Sequence, residues 1–265
     1  MPERPIRRHT DPQEGKGLTI IERSAATEGA VMDSTRRTAL VAGGFYVLTF
    51  VSIPTVALYG PVHDADYILG TTSETPVVIG GVLEVIVALA CIGTAVALYP
   101  VLKRHGETRA LGFVSARILE AAGIFVGVAS LLTLVTLRRA DAGADALVTG
   151  QTLVAFYDSI FLLSQGFLPA VNALLLGSLL YQARLVPRLL PVLGLVGAPL
   201  LVVSDLGTLF GLWDRLSPVA AVAALPIAVW EFSLGVYLIV RGFRPTALTA
   251  GVVTISARPA QDAPV

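Results

Sequence analysis

Apolar residues in this chain run in long unbroken stretches. They do not alternate as in a half-buried strand, and they do not form the one-sided stripe of a soluble helix. Six stretches stand out, at roughly 39–59, 76–99, 111–136, 152–181, 189–212 and 218–240. About 20 apolar residues cross a bilayer as a helix. The pattern predicts an all-α polytopic membrane protein with about six transmembrane helices in residues 36–245. Residues 1–35 are polar, mixed in charge and aperiodic, and are expected to form a disordered tail. Met32 is an alternative start within that segment, and residues 246–265 are expected to form a flexible C-terminal tail.

Composition agrees with the pattern. Only 14% of the 265 residues are charged, against about 25% in a soluble domain. Mean hydropathy is +0.75, so there is too little polar material to cover a water-facing surface. The bilayer is the expected partner, with a membrane-protein partner or a second copy left open. The formal net charge is zero, and no basic, aromatic-laced surface suggests nucleic acid. Lys16 and Lys103 are the only lysines, an arginine bias of the kind GC-rich bacterial genomes produce. The lone Cys91 rules out an intrachain disulfide. His9, His63 and His105 all lie outside the apolar stretches, which excludes a haem or a zinc ion held by intramembrane histidines. No cofactor and no metal are expected.

Positive residues set the expected orientation, because Lys and Arg mark cytoplasmic segments. Arg36 and Arg37 precede the first stretch, and Lys103, Arg104 and Arg109 join the second to the third. Arg184 and Arg188 join the fourth to the fifth, and Arg241 and Arg244 follow the sixth. The alternation predicts a bacterial cytoplasmic-membrane protein with both termini inside. Arg138 and Arg139 are dissonant, and are expected to snorkel at the outer end of the third helix. Tyr59, Tyr67, Tyr99, Tyr181 and Trp213 fall near stretch ends, as interfacial aromatics do.

The informative residues are charges inside apolar surroundings. In "SARILEAAG", residues 115–123, Arg117 and Glu120 stand three apart and so share a helix face. Glu231 in the last stretch has a matching depth, which makes Arg117, Glu120 and Glu231 a candidate intramembrane cluster. Glu84 and Asp205 fall in the outer half without an obvious cation, and Asp158 lies further out; these three are candidate outer-half carboxyls. Each such charge costs about 2.5–3.5 kcal/mol at a helix centre unless it faces protein or water. Small residues continue the faces of Glu84 (Gly81, Ala88, Cys91) and Glu120 (Ala116, Gly123, Gly127), so both acids are expected to face neighbouring helices. Pro54, Pro169, Pro199 and Pro226 interrupt four stretches. Gln165 and Asn172 flank an expected break at Gly166–Pro169, their amides suited to gluing helices together.

Catalytic signatures are absent. There is no GxSG, no phosphate-binding glycine loop, and Asp205 sits in "VVSDLG" rather than the GxGD of intramembrane aspartyl proteases. Several phrases together, "RRTALVAGGFYVLTFVSIPTVALYGPV", "DYILG", "GTAVALYPVLKR", "LGFVSARILEAAGIFVG", "VNALLLGSLLY" and "VWEFSLGVYLIVRGFRP", resemble the bacterial membrane family catalogued as domain of unknown function 4386. The resemblance spans about Arg36 to Pro245 and implies a multi-spanning helical protein, a start near Met32 and no transferable activity. Three functions stay open. The one the sequence favours is a non-catalytic membrane component in assembly, sensing or stress response. The second is a small-solute or proton-coupled transporter using intramembrane carboxylates. The third is a membrane-embedded enzyme acting on lipid or quinone. The small-molecule ligand is unidentified.

Overall fold

A computed structural model describes residues 34–70, 72–140 and 143–244. The expected N- and C-terminal tails and the Met32 start lie outside the described residues. Among those described there is no strand. Five helices are long and apolar enough to cross a membrane, and one of them, Thr75–Arg139, has 65 residues. That helix would be about 98 Å long if straight, three times the hydrocarbon core. It is not straight: Gly106 leaves the helical region (φ 162°, ψ 89°) and divides it into two arms. Gly81 of the first arm faces Val128 of the second, and Cys91 faces Arg117, so the arms run antiparallel. The described residues therefore make six passes.

We number the helices α1 (34–49), α2 (75–105), α3 (107–139), α4 (Leu147–Phe161), α5 (Leu168–Ala183), α6 (Leu189–Leu209) and α7 (Pro218–Val240). The fourth pass is α4 and α5 joined end to end by a π-helical segment, Leu162–Phe167. The expected break at Gly166–Pro169 is thus a bulge, and the helix carries on through it. Pro169 falls in the first turn of α5, where its missing N–H costs little. Pro54 does stop α1. Beyond it the chain descends through short helical turns, Phe50–Ser52, Thr55–Leu58 and Gly60–His63, before α2 begins.

Helix ends follow local chemistry. Ser217 caps α7, its hydroxyl accepting the Ala220 N–H at 3.2 Å with Pro218 behind it. α6 ends in a left-handed glycine, Gly211 (φ 71°), with Leu212 N–H donating to the Gly207 carbonyl and Gly211 N–H to that of Thr208, a Schellman stop. At the far end of α7, Gly242 (φ 72°) returns its N–H to Leu238, and Arg36 donates to the Leu238 and Ile239 carbonyls.

The six passes form a closed ring. Each neighbouring pair is antiparallel: α1 with α2 (Phe45 on Gly93), α3 with α4 and α5 (Tyr157 on Gly127, Leu175 on Gly112), and α5 with α6 (Leu195 on Gly177). α6 meets α7 through Trp230 on Gly194, and α7 closes onto α1 through Gly43 and Gly235. Glycine is needed at that last crossing, because a methyl on Gly43 would stand 2.6 Å from the Gly235 carbonyl oxygen. The outer rim carries Val82, Leu89, Val96, Val203, Val222 and Leu225, all exposed. Apolar side chains outside and charged ones inside are the arrangement lipid requires.

Both described ends lie at one end of the ring, with the α2–α3 and α5–α6 turns. That end is sealed by a dense core of Tyr46, Leu98, Leu102, Phe113, Leu180 and Trp230. The opposite end holds residues 59–70 and 72–74, the start of α4 and the α6–α7 loop. There Arg138 donates to the Gly70 and Thr72 carbonyls and stacks on Tyr67 at 4.5 Å, while Arg139 pairs with Glu74 at 2.6 Å. Arg138 therefore does not snorkel: its side chain is buried as the peg that holds the 66–74 loop. Tyr59 and Tyr67 are likewise buried, in place of the interfacial exposure expected of them.

Candidate functional site

The charge in "SARILEAAG" is matched three ways. Arg117 Nη1 donates to both Glu120 oxygens, at 3.2 and 3.0 Å, and Nη2 donates to Glu231 Oε1 at 2.8 Å. The Tyr46 ring lies 5.1 Å from the guanidinium carbon, and Cys91 Sγ is 3.5 Å from Nη1. Asn172 Nδ2 donates to Glu120 Oε2 at 2.6 Å. α1, α2, α3 and α7 thus meet at one guanidinium, and α5 joins through Glu120. The expected Arg117–Glu120–Glu231 cluster forms, and Asn172 belongs to it. Some capacity stays unused, since Arg117 Nε and Asn172 Oδ1 are buried without a hydrogen-bond partner among the described residues.

The cluster walls a cavity of about 230 Å³ at the centre of the ring. Its lining includes Ser52, Cys91, Arg117, Glu120, Gln165 and Glu231, and every pass contributes a residue. Among the described residues Glu231 bonds only Arg117, through one oxygen, and its side chain keeps 14% exposure.

A second cluster lies towards the open end. Glu84, 1% exposed, accepts from Tyr157 Oη at 3.0 Å, Tyr59 Oη at 3.3 Å and Gln165 Nε2 at 3.4 Å. The π-helical segment sets Gln165 between this carboxyl and the central cavity, which it also lines. Such bulges occur frequently at functional sites. Asp158, on the same helix, accepts from Arg215 Nη2 at 2.7 Å and meets His63 Nε2 at 3.3 Å. These three line a vestibule of about 610 Å³. The hydrogen bond to Asp158 raises the pKa of His63 above its ordinary value, against the opposing effect of partial burial. Asp205 stands apart from both clusters. It packs on Gly166, and its Oδ2 has no partner among the described residues.

The structure thus brings Arg117, Glu120 and Glu231 together, places Glu84 and Asp158 on one polar line above them, and leaves Asp205 beside it. Tyr59, Tyr157, His63 and Arg215 are site residues that sequence reading passes over. Tyr59 resembles a membrane-interface aromatic, Tyr157 is one apolar-stretch tyrosine among several, and His63 and Arg215 sit in loops.

A closed ring of six apolar helices around a charged, hollow centre defines a multi-pass membrane protein. Residues 41–242 match the family described as Domain of unknown function (DUF4386), and the chain belongs to that family. No curated protein and no solved structure matches the chain.

Proposed function

We propose that the protein is a small-solute transporter, that its solute site is the central cavity, and that the solute carries a positive charge. The observation that carries this reading is that the Arg117–Glu120–Glu231 cluster forms the wall of a hollow. An ion-pair cluster that only fixed helix packing would be served best by full enclosure, where no oxygen is left over. Here Glu231 keeps an oxygen for the cavity. With both carboxyls ionised, one arginine leaves a net charge of −1, which a single cationic group on the solute neutralises. The hollow, about 230 Å³, equals about eight waters of liquid volume. It lies below the usual range of drug-sized pockets, so it suits a solute of a few heavy atoms.

The same reading takes the end with both described termini as cytoplasmic, in a bacterial inner membrane. Lys103, Arg104, Arg109, Arg184 and Arg188 gather there, while Arg138, Arg139 and Arg215 at the other end are held in internal pairs.

The test is uptake into vesicles containing the purified protein, with choline, tetramethylammonium and guanidinium as probes. All three are permanently charged and cannot cross as neutral species. Saturable uptake of at least one, lost in Glu231→Gln, is expected. Vesicles that admit none of them faster than protein-free vesicles contradict the reading.

A further inference from the structure

Three polar spaces line up along one side of the ring. The vestibule at His63, Asp158 and Arg215 comes first. Below it is a void of about 40 Å³ lined by Tyr59, His63, Tyr157, Phe161 and Arg215. A void of that size equals about one water of liquid volume. The void shares His63 and Arg215 with the vestibule, and its floor is the two tyrosines that bond Glu84. Below Glu84 is Gln165, and Gln165 lines the central cavity.

We propose that Glu84 is a proton-binding site loaded from the vestibule through the void and through Tyr59 and Tyr157. Its coupling to the solute cavity through Gln165 rests on the transport reading above.

The geometry suits a carboxyl that changes charge in place. As a carboxylate, Glu84 is held by three neutral donors and has no cation at ion-pair distance among the described residues. As an acid, it needs one acceptor for its own O–H, and a phenol oxygen supplies it when that hydroxyl turns. Both states are satisfied by rotating hydroxyl hydrogens, with no heavy atom displaced. The transfer balances simply. A proton from solution in the vestibule passes onto the void water as hydronium, the hydronium gives a proton to a tyrosine oxygen and is left as neutral water, the tyrosine passes its own proton to Glu84, and the phenol is restored. One proton leaves the outer solution, and one carboxylate becomes a carboxylic acid.

The groups around Glu84 are few. The connection after α1 offers Tyr59 and His63, α4 offers Tyr157 and Asp158, the π segment offers Gln165, and the α6–α7 loop offers Arg215, 5.7 Å from the Tyr157 ring centre. On the α3 side, Ile124 and Val128 pack against this part of α2. Arg215 is bonded to Asp158 and stands behind the tyrosine ring, so its charge is already matched.

Infrared difference spectroscopy of the full chain in vesicles, stepped between about pH 9 and pH 6, above the ~4 at which ordinary carboxyls protonate, reads the carboxyl directly. The C=O stretch of a protonated carboxyl is expected to grow on acidification in the wild type. It should be absent in Glu84→Gln and present in Glu231→Gln. Tyr157→Phe keeps the carboxyl but removes one hydrogen-bond partner, and should move the band to higher wavenumber even if Glu84→Gln fails to fold. A pH-dependent band that survives Glu84→Gln, or one that Tyr157→Phe leaves in place, overturns the proposal. This readout does not depend on uptake. If no cation is carried and the band still follows Glu84, the transport reading falls and the proton site stands.

Discussion

Arg117 Nη2 and Glu231 Oε1 lie 2.8 Å apart across 114 residues of sequence, joining the third pass to the sixth inside the hydrocarbon. Glu120 takes the other Nη, three residues away on the same helix. A guanidinium that is 1% exposed cannot be left half-matched. Removing one partner from a buried ion pair costs about 3–5 kcal/mol, because it strands the other charge. Arg117→Met is therefore expected to lower the stability of the detergent-solubilised protein by about that amount. Adding Glu120→Gln and Glu231→Gln to it should restore part of the loss. Chaotrope unfolding of the three proteins, wild type included, checks this.

The ring closes where α1 crosses α7. Gly43 and Gly44 are neighbours in sequence, but only Gly43 meets the other helix. A methyl there would stand 2.6 Å from the Gly235 carbonyl oxygen, whereas nothing lies within 4 Å of the same position on Gly44. Gly43→Ala should destabilise by about 1–3 kcal/mol through overpacking, and Gly44→Ala should be neutral or slightly stabilising. Melting temperatures of the two variants read side by side decide it, and equal effects would contradict the close crossing.

His63 and Asp158 make part of the open end depend on pH. The hydrogen bond to Asp158 holds the folded pKa of His63 above its ordinary 6.5. The folded state thus binds the proton more tightly than the unfolded one. The stabilisation is complete below the unfolded pKa and disappears as pH rises through the higher, folded value. Wild type and His63→Asn should therefore differ in melting temperature at pH 5.5 and converge by about pH 8.5. The side chains are 37% and 34% exposed, so the difference is small and should shrink with salt.

Orientation can be read with impermeant thiol reagents. In a Cys91→Ser background, Glu107→Cys and Ser73→Cys place a single thiol at opposite ends of the ring. Both positions are exposed. Glu107→Cys is expected to react only from the cytoplasmic side and Ser73→Cys only from outside. The reverse result would invert the assignment.

Much of the architecture is legible in the sequence because lipid leaves few choices. Stretches of 20 or more apolar residues are helices, and their number follows from counting. The Arg117–Glu120–Glu231 cluster is also legible, since helical spacing joins the first two and depth brings in the third. The rest depends on tertiary packing. Tyr59 reaches Glu84 from the short turns that follow α1, and Tyr157 reaches it from α4, so their meeting is set by packing. The positive pair Arg138 and Arg139 misleads, because the hydrogen-bond acceptors of Arg138 are carbonyls in a loop with no pattern of its own. Gln165 appears in the sequence as a flank of a helix break. The π-helical turn that aims it at Glu84 while the helix continues has no sequence signal beyond the neighbouring Gly166.

The central claim is that the cavity beside Arg117 holds water and prefers cations. Ser52 lines it and is half-buried. In a Cys91→Ser background, Ser52→Cys would be treated in native membranes with two thiosulfonate reagents of similar size, one bearing a trimethylammonium and the other a sulfonate. The account predicts reaction with both, faster for the cation, with the difference largely removed by Glu231→Gln. Reaction only after unfolding in detergent, or faster reaction with the anion, would contradict it.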